Sequence, residues 1–238
     1  MSEKKADFQS NDNYHYVIAG FTRFKDVFKK IKKAMPYYRF GKLPKKKITE
    51  TFYDNEYNML SDAGIILSKS ATKKDAFFNI RRLSRTLHKK SKKYKIDSGC
   101  QSYDHPRDYA QKIATAIDNM FSASLPIDVE NIVKKTKPMI EIILDKTPYE
   151  MVCGTGFKGK ITHENVTYKD VATGKKVIQE SVCLSVPVGD AEETQEILRV
   201  IERVTPSLVL FKESRFELAQ KLLYPEPVEE VKQEFDEE

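Results

Sequence analysis

Along the chain the spacing of apolar positions changes repeatedly, and each change predicts an element. Residues 14–21, YHYVIAGF, read as a short strand with a glycine exit, and Thr22 can cap the next segment. Phe24, Val27, Phe28, Ile31 and Met35 then recur at helical spacing with lysines between them, which predicts an amphipathic helix stopped by Pro36. Ile48, Thr49, Thr51, Phe52 and Tyr53 are β-branched or aromatic, and Asp54, Asn55 and Asn58 end their run. Gly64 opens a second run, Ile65-Ile66-Leu67, so that 48–70 reads as an antiparallel hairpin. Residues 76–83 predict another strand, with Asn79 and Arg81 on one face and Phe78, Ile80 and Arg82 on the other.

The second half alternates more regularly. Tyr109, Ile113, Ala116, Ile117 and Met120 mark an amphipathic helix, and 128–135 a short helical turn, so 84–136 reads as a helical insertion between two halves of a sheet. Residues 139–144, MIEIIL, form a dense strand ending at Asp145, with a turn expected over 146–148. Runs 157–169 and 175–186, joined by 170–174, give a long hairpin. A helix begins at Asp190, carrying Ile197, Leu198, Val200, Ile201 and Val204 and broken at Pro206; then come a short strand over 208–211 and a last helix over 213–223. The polar residues 1–13 and the acidic, proline-interrupted residues 224–238 are expected to be disordered, flanking one domain over 14–223.

Composition narrows the classes. An apolar share of 40% can supply a core, and a net charge of +6 suits an anionic partner without choosing among small phosphates, nucleic acid and acidic membranes. No run has the apolar length of a signal core or a bilayer span, which predicts a cytoplasmic protein with no membrane partner. Cys100, Cys153 and Cys183 are odd in number and lack paired short spacing, so neither a disulfide framework nor a zinc site is expected. His15, His88, His105 and His163 are not expected to share a face with carboxylates.

The order Phe52-Tyr53-Asp54-Asn55, then Leu60, then Gly64-Ile65-Ile66-Leu67 resembles the YFDT…L…GIxLRxR hairpin of the CYTH, or triphosphate tunnel metalloenzyme, family. Further matches are Leu144-Asp145 for that family's strand ending in LD, residues 182–189 for its glutamate-rich late strand and glycine, and Ser214-Arg215 for its near-terminal SK. The resemblance covers most of 14–223 and implies an α+β fold, a closed antiparallel β-barrel or tunnel of about eight strands with helices packed outside. It also implies inward carboxylates that hold Mg²⁺ or Mn²⁺ and inward Lys and Arg that hold a triphosphate.

This sequence departs from the family at the metal. Residues 15–20 hold neither carboxylate nor lysine where the family has ExExK, the LRxR arginines fall on Ser68 and Ser70, and the late-strand glutamates fall on Ser181, Cys183 and Ser185. The resemblance leaves Arg81, Lys137 and Arg215 as phosphate-binding positions and Asp145 as a metal ligand. Three of these also have an ordinary structural reading: Arg81 paired with a carboxylate, Asp145 opening a turn, Arg215 on an exposed helix face. The leading expectation is a degenerate tunnel protein that binds a phosphate-bearing small molecule or polyphosphate, or serves as an interaction module. One alternative is a metal-dependent triphosphate phosphohydrolase or nucleotidyl-transfer enzyme using carboxylates such as Glu50, Asp54, Asp145, Glu164 or Glu180. Another is a polyanion- or RNA-binding protein using the basic runs 42–47 and 89–95, which carry no RNA-binding signature. Ser181, Cys183 and Ser185 lack an expected activating histidine, and residues 154–160 read as a turn with a bulge, since they lack phosphate-loop spacing.

Overall fold

The computed structural model describes residues 11–82, 93–96, 101, 103–121, 127–188, 191–211 and 213–225. The expectations for 1–10, for most of the basic run 89–95 and for the acidic segment 226–238 fall outside these residues.

The strands are β1 (Asn11–Ile18), β2 (Tyr38–Lys42), β3 (Lys46–Asp54), β4 (Ile65–Ala71), β5 (Ala76–Arg82), β6 (Lys93–Ile96), β7 (Lys137–Cys153), β8 (Lys158–Asp170), β9 (Lys176–Pro187) and β10 (Leu208–Leu210). Helices α1 (Phe24–Ala34), α2 (Met59–Asp62), α3 (Ala110–Met120), α4 (Val129–Lys134), α5 (Ala191–Val204) and α6 (Arg215–Leu223) interrupt them. All ten strands join one antiparallel sheet in the order β10-β1-β9-β8-β7-β3-β4-β5-β6, with β2 pairing β7. The α+β class and both hairpins match the sequence reading: Phe52 pairs Ser68 across β3–β4, and Glu164 pairs Ser181 across β8–β9. Among the described residues the strands number ten rather than about eight. Among the described residues no ladder joins β10 to β6, so the pairing is an open path rather than a closed ring.

Three differences matter for the site. The expected turn at 146–148 is absent: β7 continues through it, so Lys146 pairs Glu164 and Pro148 pairs Thr162. β1 begins at Asn11 and pairs Asn13 with Ser185, earlier than the expected start at Tyr14. The run 154–160 is a turn without a register shift in the β7–β8 ladder; Gly156 takes a φ of 95° there, which a side chain would resist.

Alternation gives the sheet two unlike faces. On the outer face Tyr16, Ile161, Leu184 and Met151 pack under Phe24, Ile31, Ile197 and Ile201 of α1 and α5. Further along the sheet, Leu67, Phe78 and Ile80 pack under Ile113, Ile117 and Val133 of α3 and α4. The opposite face is apolar only where α6 lies on it, with Phe216, Ala219 and Leu223 against Phe52, Ile142, Leu144 and Tyr168. The rest of that face carries the polar side chains.

Candidate anion-binding site

On this inner face β8 presents Glu164, fully buried at 0% exposure. A carboxylate there is costly unless cations hold it. Lys146, directly across the ladder, places its ammonium 2.8 Å from Glu164 Oε1, and Arg215, the first residue of α6, gives its guanidinium to Oε2. Ser181 Oγ donates to the same carboxylate at 3.4 Å. Burial pushes the Glu164 carboxyl upward, but Arg215 and Lys146 outweigh it and hold the group below its ordinary range.

His15 of β1 sits beside this triad, its Nδ1 3.3 Å from Arg215 Nη2. Burial, reinforced by the Arg215 charge, brings its imidazole down to about 4, so it is neutral near pH 7. Its other nitrogen, Nε2, lies 4.0 Å from Cys183 Sγ. A histidine therefore does face the Ser181–Cys183–Ser185 row, and it shares a face with a carboxylate, contrary to the sequence reading. It does not make a nucleophile of the cysteine: burial, with Glu164 nearby, pushes the Cys183 thiol up to about 11.

A second cluster lies on the same face across β3, β4 and β5. Glu50 accepts from Arg81 and, at 2.9 Å, from Ser68 Oγ, while Asn79 Nδ2 donates to Ser70 Oγ at 2.8 Å. Arg81 Nε and Asn79 Oδ1 are buried with no hydrogen-bond partner among the described residues. The inward positions expected for Ser68, Ser70, Asn79, Arg81, Ser181, Cys183 and Ser185 are thus occupied as alternation predicts.

The four site residues that the sequence suggests separate. Arg81 and Arg215 reach the inner face, each on a buried glutamate. Lys137 is exposed at the outer start of β7, paired in register with Asp54. Asp145 is exposed on the opposite face from Lys146, in register with Lys47 and Asn165, away from the inner cluster. Lys146 escapes the sequence reading because Pro148 reads as a stop; its signal is the alternation of Ile140, Ile142 and Leu144, which points residue 146 inward. Glu50 and Glu164 enter that reading only as alternative ligands.

A divalent cation of the kind the sequence resemblance implies does not fit these donors. No group of three His, Cys, Asp or Glu side chains gathers among the described residues, and the carboxylates of the two polar clusters, Glu50 on β3 and Glu164 on β8, are separated by β7 and already bound to guanidinium groups.

No family model and no curated protein matches the chain. Solved structures do match it. HpAC1 from Hippeastrum, described as an adenylyl cyclase candidate with a dominant triphosphatase activity, is 9% identical with a TM-score of 0.47, over 88% of this chain and 94% of that one. A Bacillus halodurans protein described as an adenylate cyclase candidate is 10% identical with a TM-score of 0.45, over 87% and 95%. The PH1819 protein of Pyrococcus horikoshii is 11% identical with a TM-score of 0.43, over 90% and 99%. At these identities, and with every one of these TM-scores under 0.5, neither a residue role nor an activity is taken from them.

Proposed function

We propose that the inner face binds a phosphate-bearing anion without a metal, within a sheet that wraps it as a tunnel. The observation that carries this reading is that buried Glu164 is shared by two cations, Lys146 and Arg215, which leaves one positive charge unmatched beside a neutral His15. The unpartnered Arg81 Nε adds a donor on the same face. An incoming phosphate would displace the Glu164 contacts rather than meet bare cations, so the affinity is modest and sensitive to salt. An oligophosphate ligand is of the same class as the substrates of the triphosphatase activity described for HpAC1.

Calorimetric titration with tripolyphosphate at low ionic strength tests this. Arg215→Ala keeps Lys146 on Glu164, so the chain stays folded while affinity falls roughly tenfold, the value of one charge-assisted contact. Absence of heat from the unaltered protein at low salt would overturn the proposal.

A further inference from the structure

Lys137, displaced from the inner face, lies in a separate cleft of about 470 Å³ bounded by the loop after β3, the turn Pro106–Tyr109, the end of α4 and the start of β7. That volume lies in the range of small-molecule sites. Four cationic side chains line it, Arg107, Lys134, Lys135 and Lys137, against one lining carboxylate, Glu56. Two of them are already engaged: Lys134 sits 2.7 Å from Glu130, and Arg107 Nε lies 3.8 Å from Asp108. Lys135 and Lys137 are exposed and have no ionic partner among the described residues. The carbonyl end of α4 opposes an anion here, but a helix end carries only about half a charge and this helix is short, so two unmatched lysines outweigh it. Tyr57, 69% exposed, also lines the cleft and offers a ring face beside the cations.

We propose that this outer cleft is a second anion site, built for an oligophosphate chain and separate from the inner face. A row of cations around one small cleft fits several linked phosphates better than a single one, because each phosphate then meets its own donor. Two ligands share that chemistry, an inorganic oligophosphate and a nucleoside triphosphate, and they differ in whether a base can stack on Tyr57.

Amide chemical-shift mapping on the full-length protein tests it at low salt, with tripolyphosphate, ATP and sulfate as probes. Tripolyphosphate should shift the amides of residues 105–107 and 134–137. In the Lys135→Glu/Lys137→Glu variant those shifts should disappear, with affinity down roughly tenfold for each lysine. The amides of Glu164 and Ser181 report on the inner face, so failure there is read separately from failure here. Tyr57→Ala weakening ATP alone assigns the cleft to a nucleotide; equal binding of both probes assigns it to inorganic oligophosphate. Unmoved cleft amides, equal shifts with sulfate at matched ionic strength, or a double variant that titrates like the original would each overturn the proposal.

Discussion

At the scale of single residues, the site stands on one buried histidine as much as on its charged neighbours. His15 is held neutral first because burial strips water from its imidazolium, and then because protonation would place a third cation beside Arg215 and Lys146. Its pKa falls from 6.5 in the unfolded chain to about 4, so between those values the unfolded state binds the additional proton and stability drops as pH falls. The full effect is roughly 3 kcal/mol, of which about 2 kcal/mol is lost by about pH 5. Urea unfolding at about pH 7.5 and pH 5 should show this loss in the unaltered protein and one smaller by about 2 kcal/mol in His15→Gln, the remainder coming from His163 and His105, which burial also holds below the ordinary imidazole value. The same pH dependence in both would refute the account. Glu164, whose carboxyl is held below its ordinary range, keeps its contribution until pH falls below that range, so it does not mimic this window. The inner positions of Arg81 and Ser181 are legible from strand alternation. The contact between His15 and Cys183 is not, because it depends on which strand lies beside β1, and alternation within one strand carries no such information.

At the scale of elements, α6 links the polar cluster to the apolar part of the inner face. Its start is fixed by a reciprocal cap in which Ser214 N–H donates to Glu217 Oε2 at 2.7 Å and Glu217 N–H donates to Ser214 Oγ at 3.2 Å. Phe216 then stacks on Phe52 at 4.9 Å, so the cap determines where both Arg215 and the ring enter the sheet. Ser214→Ala should cost about 1 kcal/mol and raise hydrogen exchange at 215–218, with anion affinity falling because Arg215 is less well placed. Unchanged exchange in that turn would contradict this. The helix itself is legible, since its apolar spacing and its capping residues are both local. β7 is harder to read. It pairs β3 up to Lys146 and β2 from Tyr149, so Pro148 falls in the gap between two partners, where its missing donor leaves no ladder bond unmade on that side. A proline that normally ends a strand is tolerated because of a neighbour far away in sequence.

Across the whole molecule, the long alternating runs reveal strands and their facing, whereas β2 and β6 stay hidden because both are short and charged. β6 shows how such a run can join a sheet: the Lys95 ammonium lies 4.2 Å from the Phe77 ring centroid, and the backbone pairs with β5. Fold alone does not decide whether chemistry survives. Hydrolysis through a divalent cation needs carboxylates free to coordinate it, so that the cation would be held where it can offset the charge developing on the phosphates. Here Glu50 and Glu164 are both held by arginines, and a cation would have to displace a guanidinium to reach either one. Purified protein should therefore release no phosphate from tripolyphosphate, ATP or thiamine triphosphate above background, with or without Mg²⁺ or Mn²⁺. The decisive opposite result is metal-dependent release that is lost in Glu164→Gln or Glu50→Gln, since those variants remove the carboxylate but keep its shape. Such a result would show that the cation outcompetes the arginines for these carboxylates when substrate is bound.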